Sequence, residues 1–331
     1  QYFYNGSWSF KILKAVTIPY SKTWVAILKG LVDKSTSQID IIDKDYTRLL
    51  SSFVLEFISN YNIESIDAIS SHGHTAFHKP NEGLTFQIGN LKILAELINQ
   101  TCICDFRTQD VNLGGQGAPL VPVGDILLFN KYDFCLNLGG FCNISFNKSN
   151  DITAFDICPL NIVFNYYSKQ LGHDYDHLGS LASSGQTIMP LLEELNSLNY
   201  YQISGPKSLG LEWVVENFHE TIKNYDNNVN DILKTLVEHA AFQISETLNQ
   251  YGNGQVLLSG GGVYNKFFIK ILTQHSNSKF IIPSKSIVDY KEALIFGFLG
   301  VLKLRNEINC MKSVTGASKS HSTGKIYEII K

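Results

Sequence analysis

The stretch Gln255-Val256-Leu257-Leu258-Ser259-Gly260-Gly261-Gly262 sets a short apolar run directly against three glycines. A run of strand length, rich in branched side chains and closed by turn residues, predicts a buried β-strand. Glycines at its end let the backbone turn sharply and lie bare against a ligand. The pattern recurs upstream, where Asp133 to Leu138 runs into Gly139-Gly140 and Ser65 to Ser70 runs into Ser71-His72-Gly73-His74-Thr75. Each is read as a strand, a glycine turn and then a helix. That succession is the order of an α/β protein, whose ligands gather at the carboxyl ends of its strands.

Helices fill the intervals. Asp231 to Gln250 carries Ile232, Leu236, Ala240, Ile244 and Leu248 in an i, i+4 stripe, and Gly252 stands where such a helix would stop. Asn90 to Gln100 and Glu292 to Leu304 read as helices too, with apolar stripes suited to a core. With 331 residues, 44% of them apolar and 17% charged, the chain can bury a large core, and its length suggests two lobes.

A net charge of −3 gives no broad pull toward nucleic acid or an anionic membrane, so an anionic ligand needs a local site. No run approaches the about 18 apolar residues of a membrane span. Gln1 to Phe10 lacks the charged-then-apolar pattern of a secretory leader. The cysteines at 102, 104, 135, 142, 158 and 310 lie scattered, several in apolar runs, without the paired spacings of a zinc site. They read as reduced core thiols in a cytoplasmic protein.

The densest polar stretch is Asp105-Phe106-Arg107-Thr108-Gln109-Asp110, followed by Gly114-Gly115-Gln116-Gly117-Ala118-Pro119. Arg107 offers a planar fork suited to carboxylate or phosphate; the plainer reading is an Arg–Asp pair bracing a loop. Asp156, in Ala154-Phe155-Asp156-Ile157-Cys158-Pro159-Leu160-Asn161, reads either as a general base in a cleft or as a helix cap. His72 and His74 flank Gly73, a spacing that points them apart along a strand, so no metal is expected on them. The glycine turns could hold phosphate against bare backbone, yet neither a P-loop nor a dinucleotide fingerprint occurs.

In order and wording these segments resemble the anhydro-N-acetylmuramic acid kinases, members of the actin, hexokinase and Hsp70 superfamily. The resemblance runs from about Ser70 to Gly316 and takes in Ser71 to Thr75, Asp105-Phe106-Arg107, Gly114 to Pro122, Asn137 to Ile144, and Phe155-Asp156 with Pro159 and Asn161. It continues through Tyr175-Asp176 with Gly179, Pro206-Lys207-Ser208 with Gly210, Gly260 to Gly262 with Asn265, Lys291-Glu292-Ala293 and Thr315-Gly316-Ala317. It implies a two-lobed, ribonuclease H-like fold of the actin/hexokinase kind with a ligand cleft between lobes. The lobes would be residues 1–130 and 131–331, the last helix returning to the first. A cytoplasmic homodimer without nucleic-acid or membrane partners is implied likewise.

The implied reaction is an ATP- and Mg²⁺-dependent phosphotransfer. Water opens the 1,6-anhydro bridge of the sugar, O6 is phosphorylated, and N-acetylmuramic acid 6-phosphate enters peptidoglycan recycling. By position, Asp156 would be the catalytic base; His72, Thr75, Arg107 and Glu292 would line the sugar; Gly139 and Gly140 would form a phosphate turn; and Gly260, Gly261, Gly262 and Asn265 would hold the nucleotide. Two departures stand out. The family's Asp-Thr-Gly-Pro is Asp156-Ile157-Cys158-Pro159 here, which loses a hydroxyl and a glycine. The family's opening strand and Met-Ser-Gly-Thr-Ser-Xaa-Asp-Gly phosphate turn are not found before Lys11; Asn5-Gly6-Ser7-Trp8 reads as a hairpin turn and Phe10 to Ile18 as a later strand. These departures frame the alternative expectation: a sugar-binding or regulatory relative with impaired chemistry, or a truncated fragment.

Overall fold

The computed structural model describes residues 2–4, 6–148, 151–203, 207–225 and 228–329. Asn5 and Pro206, each part of a motif singled out above, lie outside the described residues. In chain order the strands are β1 (Tyr2–Tyr4), β2 (Ser7–Ser9), β3 (Ile69–Ser70), β4 (His74–Lys79), β5 (Leu84–Ile88), β6 (Cys102–Cys104), β7 (Phe134–Leu138), β8 (Phe141–Lys148), β9 (Asp151–Pro159), β10 (Gln255–Ser259), β11 (Lys279–Ile281) and β12 (Lys325–Tyr327). The chain divides into two compact units, Gln1–Leu128 with Glu292–Lys331, and Phe129–Lys291.

The second unit is built on a sheet of order β11-β10-β7-β8-β9. β10 runs parallel to β7 and β11, while β8 runs antiparallel to β7 and β9. Counted from β7 the order is 3-2-1-4-5 with the second strand reversed, the connectivity of the ribonuclease H-like fold. Period-two alternation decides which face is covered. Phe134, Leu136 and Leu138 of β7, Cys142, Ile144 and Phe146 of β8, and Val256 and Leu258 of β10 enter the core. Ile232, Leu236, Ala240, Ile244 and Leu248 from the Val229–Tyr251 helix meet them there. Each fully buried Leu or Ile contributes about 1.5–3 kcal/mol relative to exposure. Gly252 ends that helix in the left-handed region (φ 111°), its amide on Leu248 O, as the sequence implies.

Several expectations are corrected. Only Gly260–Gly262 leads into a helix, Lys266–His275; Gly139-Gly140 leads into β8, and the His72-Gly73 turn into β4. The reason lies in the residues beyond the turn: Cys142, Ile144 and Phe146 alternate with Asn143 and Ser145, a strand period rather than a helical one. The expected strand over Phe10 to Ile18 has no regular structure. Leu13 there is 74% exposed, and among the described residues Lys11 to Ile18 pair with no strand, which leaves an extended segment there without a ladder to hold it. The helix expected over Asn90 to Gln100 shortens to Ile93–Ile98, stopped where Asn99 turns left-handed (φ 50°).

The first unit has a three-stranded sheet of order β12-β6-β3 and the hairpins β1–β2 and β4–β5. Its Thr36–Asn60 helix starts at a capping box made by Ser35 and Gln38, and buried Asp43 Oδ1 accepts from Gly89 N–H at 2.7 Å, tying the helix to the end of β5. β6 ends at Cys104, and Asp105 (φ 56°) turns the chain so that Arg107 comes directly after it. No helix among the described residues is long and apolar enough to cross a membrane.

Candidate active site

In the first unit, Arg107 is the organiser. Its Nε donates to His72 Nε2 at 2.9 Å and its Nη1 to Gly117 O at 2.6 Å. Nη2 has no hydrogen-bond partner among the described residues, so one arm of the fork is open. His72 Nδ1 lies 3.0 Å from Gly73 O. Nδ1 therefore carries the proton and Nε2 the lone pair that Arg107 meets. The bracing Arg–Asp pair read as the plainer alternative is absent among the described residues: Asp105 instead pairs with Lys325 at 2.7 Å and accepts from Thr108 Oγ1 at 2.5 Å.

Burial lowers the Arg107 pKa, and the charge of exposed Glu292 partly opposes it by favouring the guanidinium. Thr75 is exposed on β4. His78, which sequence reasoning passed over, accompanies this group: its pKa is lowered, by burial first and then by the charge of Arg107.

Burial, then Arg107, pushes His72 from 6.5 down to about 4. Burial pushes His239, in the second unit, to about 3. For both, the unfolded chain takes up a proton near 6.5 while the folded one does so only well below. Their stabilising contribution is thus complete above pH 6.5 and drains as pH falls toward 4. Urea unfolding at about pH 5 rather than pH 7 should show a loss on the order of 2 kcal/mol from His72. His72→Gln, which keeps an acceptor for Arg107, should flatten that part of the acid limb.

In the second unit, strand register lines up Ser259, Asn137, Asn143 and Asp156 across β10, β7, β8 and β9. They form a polar row at the end of the sheet where β7 and β10 run into their glycine turns. A bulge between Cys142 and Asn143 in the β8–β9 pairing sets Asp156 opposite Asn143; such bulges re-aim side chains beside functional sites. Asp156 caps no helix. Its amide donates to Lys207 O at 3.0 Å, its carbonyl accepts from Tyr200 OH at 2.6 Å, and its Oδ2 accepts from Leu209 N–H at 2.9 Å. Oδ1 has no hydrogen-bond partner among the described residues. Burial raises the Asp156 pKa, and the Leu209 N–H partly opposes it. The carboxylate is thus anchored by one oxygen and made more basic at the other.

The glycine turns separate into packed and open positions. A Cβ on Gly260 would lie 2.6 Å from Asn137 Oδ1 and one on Gly262 2.8 Å from Leu138 Cβ, so both are required for the turn to lie against β7. A Cβ on Gly261 would meet nothing within 4 Å, and one on Gly140 only Ile162 Cβ at 4.0 Å. There the bare backbone has room for a ligand. The carbonyls of Gly139 and Gly140 accept from the amides of Leu160, Asn161 and Ile162, which commits the start of the Asn161–Gln170 helix to the turn.

Asn265 caps the Lys266–His275 helix, its Oδ1 accepting from Phe268 N–H at 2.9 Å. Asn265→Ala should cost about 1 kcal/mol in denaturant unfolding, and Asn265→Asp should recover most of it. Ile157 and Cys158, where the motif has its departures, are buried at 2% and 0% exposure in the core. All six cysteines are buried and none is in a disulfide.

The sequence that builds these two units matches a known family. The model of the anhydro-N-acetylmuramic acid kinases fits residues 13–329. The chain belongs to that family. The curated anhydro-N-acetylmuramic acid kinase of Pseudomonas syringae is 33% identical over 341 aligned residues, covering 96% of this chain and 92% of that protein. The one from Nitrosomonas europaea is 31% identical, covering 96% of this chain and 93% of its own. Family membership makes the chain a kinase by descent. Of the polar row, Asp156 carried a role in the sequence reading; Ser259, Asn137 and Asn143 carried none, although Asn137 and Asn143 stand in the Asn137–Ile144 motif.

Proposed function

We propose that this kinase opens 1,6-anhydro-N-acetylmuramic acid with water and transfers the γ-phosphoryl group of ATP to O6, giving N-acetylmuramic acid 6-phosphate for peptidoglycan recycling. The observation that carries the reading is Asp156: a carboxylate made more basic by burial, anchored through Oδ2 with Oδ1 open, at the end of a polar row.

Asp156 Oδ1 takes a proton from water as the water oxygen bonds to the anomeric carbon. The bond from that carbon to O6 breaks, and O6 leaves with its electron pair to attack the γ-phosphorus, whose bond to the β,γ-bridging oxygen breaks as ADP departs with that electron pair. Arg107 is held by His72 and Gly117 with one arm free for a sugar oxygen or carboxylate. Glu292 favours its charged form against the burial that lowers its pKa, and Thr75 offers an exposed hydroxyl on β4. The open backbone at Gly140 and Gly261 fits a polyphosphate lying close to the chain. The hard side-chain oxygens of Asn137 and Asn143 are the donor type that Mg²⁺ takes together with substrate phosphates, where it would neutralise charge on the transferring group.

The test is ADP release with ATP and Mg²⁺. It should depend on the anhydro sugar, with a 6-phosphorylated, ring-opened product by mass spectrometry. Equal ADP release with glucose would assign the chain to ordinary hexose phosphorylation instead.

A further inference from the structure

Outside the residues assigned above, the first unit buries a group of unlike donors. Asp110 Oδ1, Cys310 Sγ and His321 Nε2 all lie within 4.8 Å of one another. Asp110 is 0% exposed, Cys310 1% and His321 6%. Asp110 sits on the short Thr108–Asn112 helix just after Arg107. Cys310 and His321 face each other across an isolated antiparallel bridge, closed by Cys310 N–H on His321 O at 3.1 Å and His321 N–H on Cys310 O at 3.0 Å. The bridge fixes two side chains side by side, and the helix brings the third.

The polarity of this group is unusual. His321 Nδ1 lies 3.1 Å from Lys319 O and must donate there, which leaves the lone pair on Nε2. Nε2 is buried and has no hydrogen-bond partner among the described residues. It lies 3.7 Å from Asp110 Oδ1, a second acceptor, which itself accepts from the Cys310 thiol at 3.0 Å and from Thr315 Oγ1 at 2.8 Å, so that of the two only the histidine nitrogen lacks a partner. A cation between them resolves the conflict, and a proton is a poor one because the separation exceeds hydrogen-bond range.

The surroundings match what metal ligands need. A ligating histidine characteristically donates its other nitrogen to a backbone carbonyl, and a ligating carboxylate is held by a further donor. Here Lys319 O serves the histidine, and Gly117 N–H holds Asp110 Oδ2 at 2.7 Å. Thr315 Oγ1, 2.8 Å from Asp110 Oδ1 and 4.0 Å from Cys310 Sγ, adds an oxygen beside the trio. Sulfur, imidazole nitrogen and carboxylate oxygen together favour zinc over Mg²⁺ or Ca²⁺.

We propose that Asp110, Cys310 and His321 form a structural zinc site. Binding displaces the Cys310 thiol proton to solvent as the sulfur–zinc bond forms, so uptake of the ion releases a proton. The ion clips the C-terminal segment to the Gly114–Pro119 loop, whose Gly117 carbonyl holds Arg107, and so stiffens the base of the sugar-directed residues.

The test needs no turnover and stands apart from the kinase reading. Chain equilibrated with zinc and passed through gel filtration should retain about one zinc per molecule. With Co²⁺ in its place, a thiolate-to-cobalt charge-transfer band should appear in the near ultraviolet. Both signals should vanish in Cys310→Ser, zinc retention should drop in His321→Asn, and chelation should lower the melting temperature of the unaltered chain. Failure of the unaltered chain to retain zinc, or absence of the cobalt band from it, overturns the proposal whatever the variants do; so does a band that survives Cys310→Ser.

Discussion

Replacing Asp156 with Asn should cut sugar-dependent ADP formation by about 10³-fold while leaving the fold intact. Asn has nearly the same shape and still offers an oxygen to the Leu209 N–H, so the β9 edge keeps its connection to the Lys207–Leu209 segment. It lacks the proton affinity that burial confers on the carboxylate. A loss of this size corresponds to about 4 kcal/mol of barrier, within the range of general-base catalysis. Proton abstraction occurs only in the transition state, so kcat should fall while both KM values stay near those of the unaltered enzyme. Stability should hold or rise, because a half-buried charge disfavoured by desolvation has been neutralised. A variant that keeps kcat within about tenfold would remove Asp156 from the role of base and return the proton to bulk water or another group.

The fold was legible to the extent that it obeys short-range periodicity. β7, β10 and the long Val229–Tyr251 helix each carry an unbroken pattern, and Gly252 ends the helix as its backbone freedom allows. The element after a glycine turn was less legible. The turn at Gly139-Gly140 says only that the chain reverses; whether strand or helix comes next is decided by alternation over Phe141 to Phe146 and by pairing with β9. Phe10 to Ile18 shows the converse, a stretch with the composition of a strand that joins no strand ladder among the described residues.

At the site, Asp156 and Arg107 were visible as residue types, but their competence comes from partners far off in sequence. Leu209 N–H and Tyr200 OH hold the former, and His72 and Gly117 the latter. The Asp110–Cys310–His321 group was invisible for the same reason, since its members come together only through a β-bridge and a helix end. Asn265 illustrates a different limit. Its place in a motif implied ligand contact, and the structure adds a role the motif did not show: its side-chain oxygen caps a helix.

Arg107→Ala should lower kcat/KM for the sugar by about 10²–10³-fold, chiefly through KM, while KM for ATP changes little. Two losses combine. The open Nη2 arm no longer meets an oxygen of the sugar, and His72 Nε2 and Gly117 O are left without their donor at a cost of about 1–3 kcal/mol each in a half-buried setting. Lysine separates charge from shape. Its ammonium keeps the charge that Glu292 favours, but it cannot reproduce the planar fork that reaches His72 at 2.9 Å and Gly117 at 2.6 Å with a third direction to spare. Arg107→Lys should therefore remain far closer to the alanine variant than to the unaltered enzyme.

The histidine supplies a readout that simple misfolding would not move. Arg107 is the second cause, after burial, of the fall of His72 to about 4. Arg107→Ala should raise that value in an NMR titration, and Arg107→Lys should do so only if the ammonium sits farther from the ring. Sugar KM restored by lysine, with His72 still titrating near 4, would mean that charge alone suffices and that the fork geometry has no part in recognition.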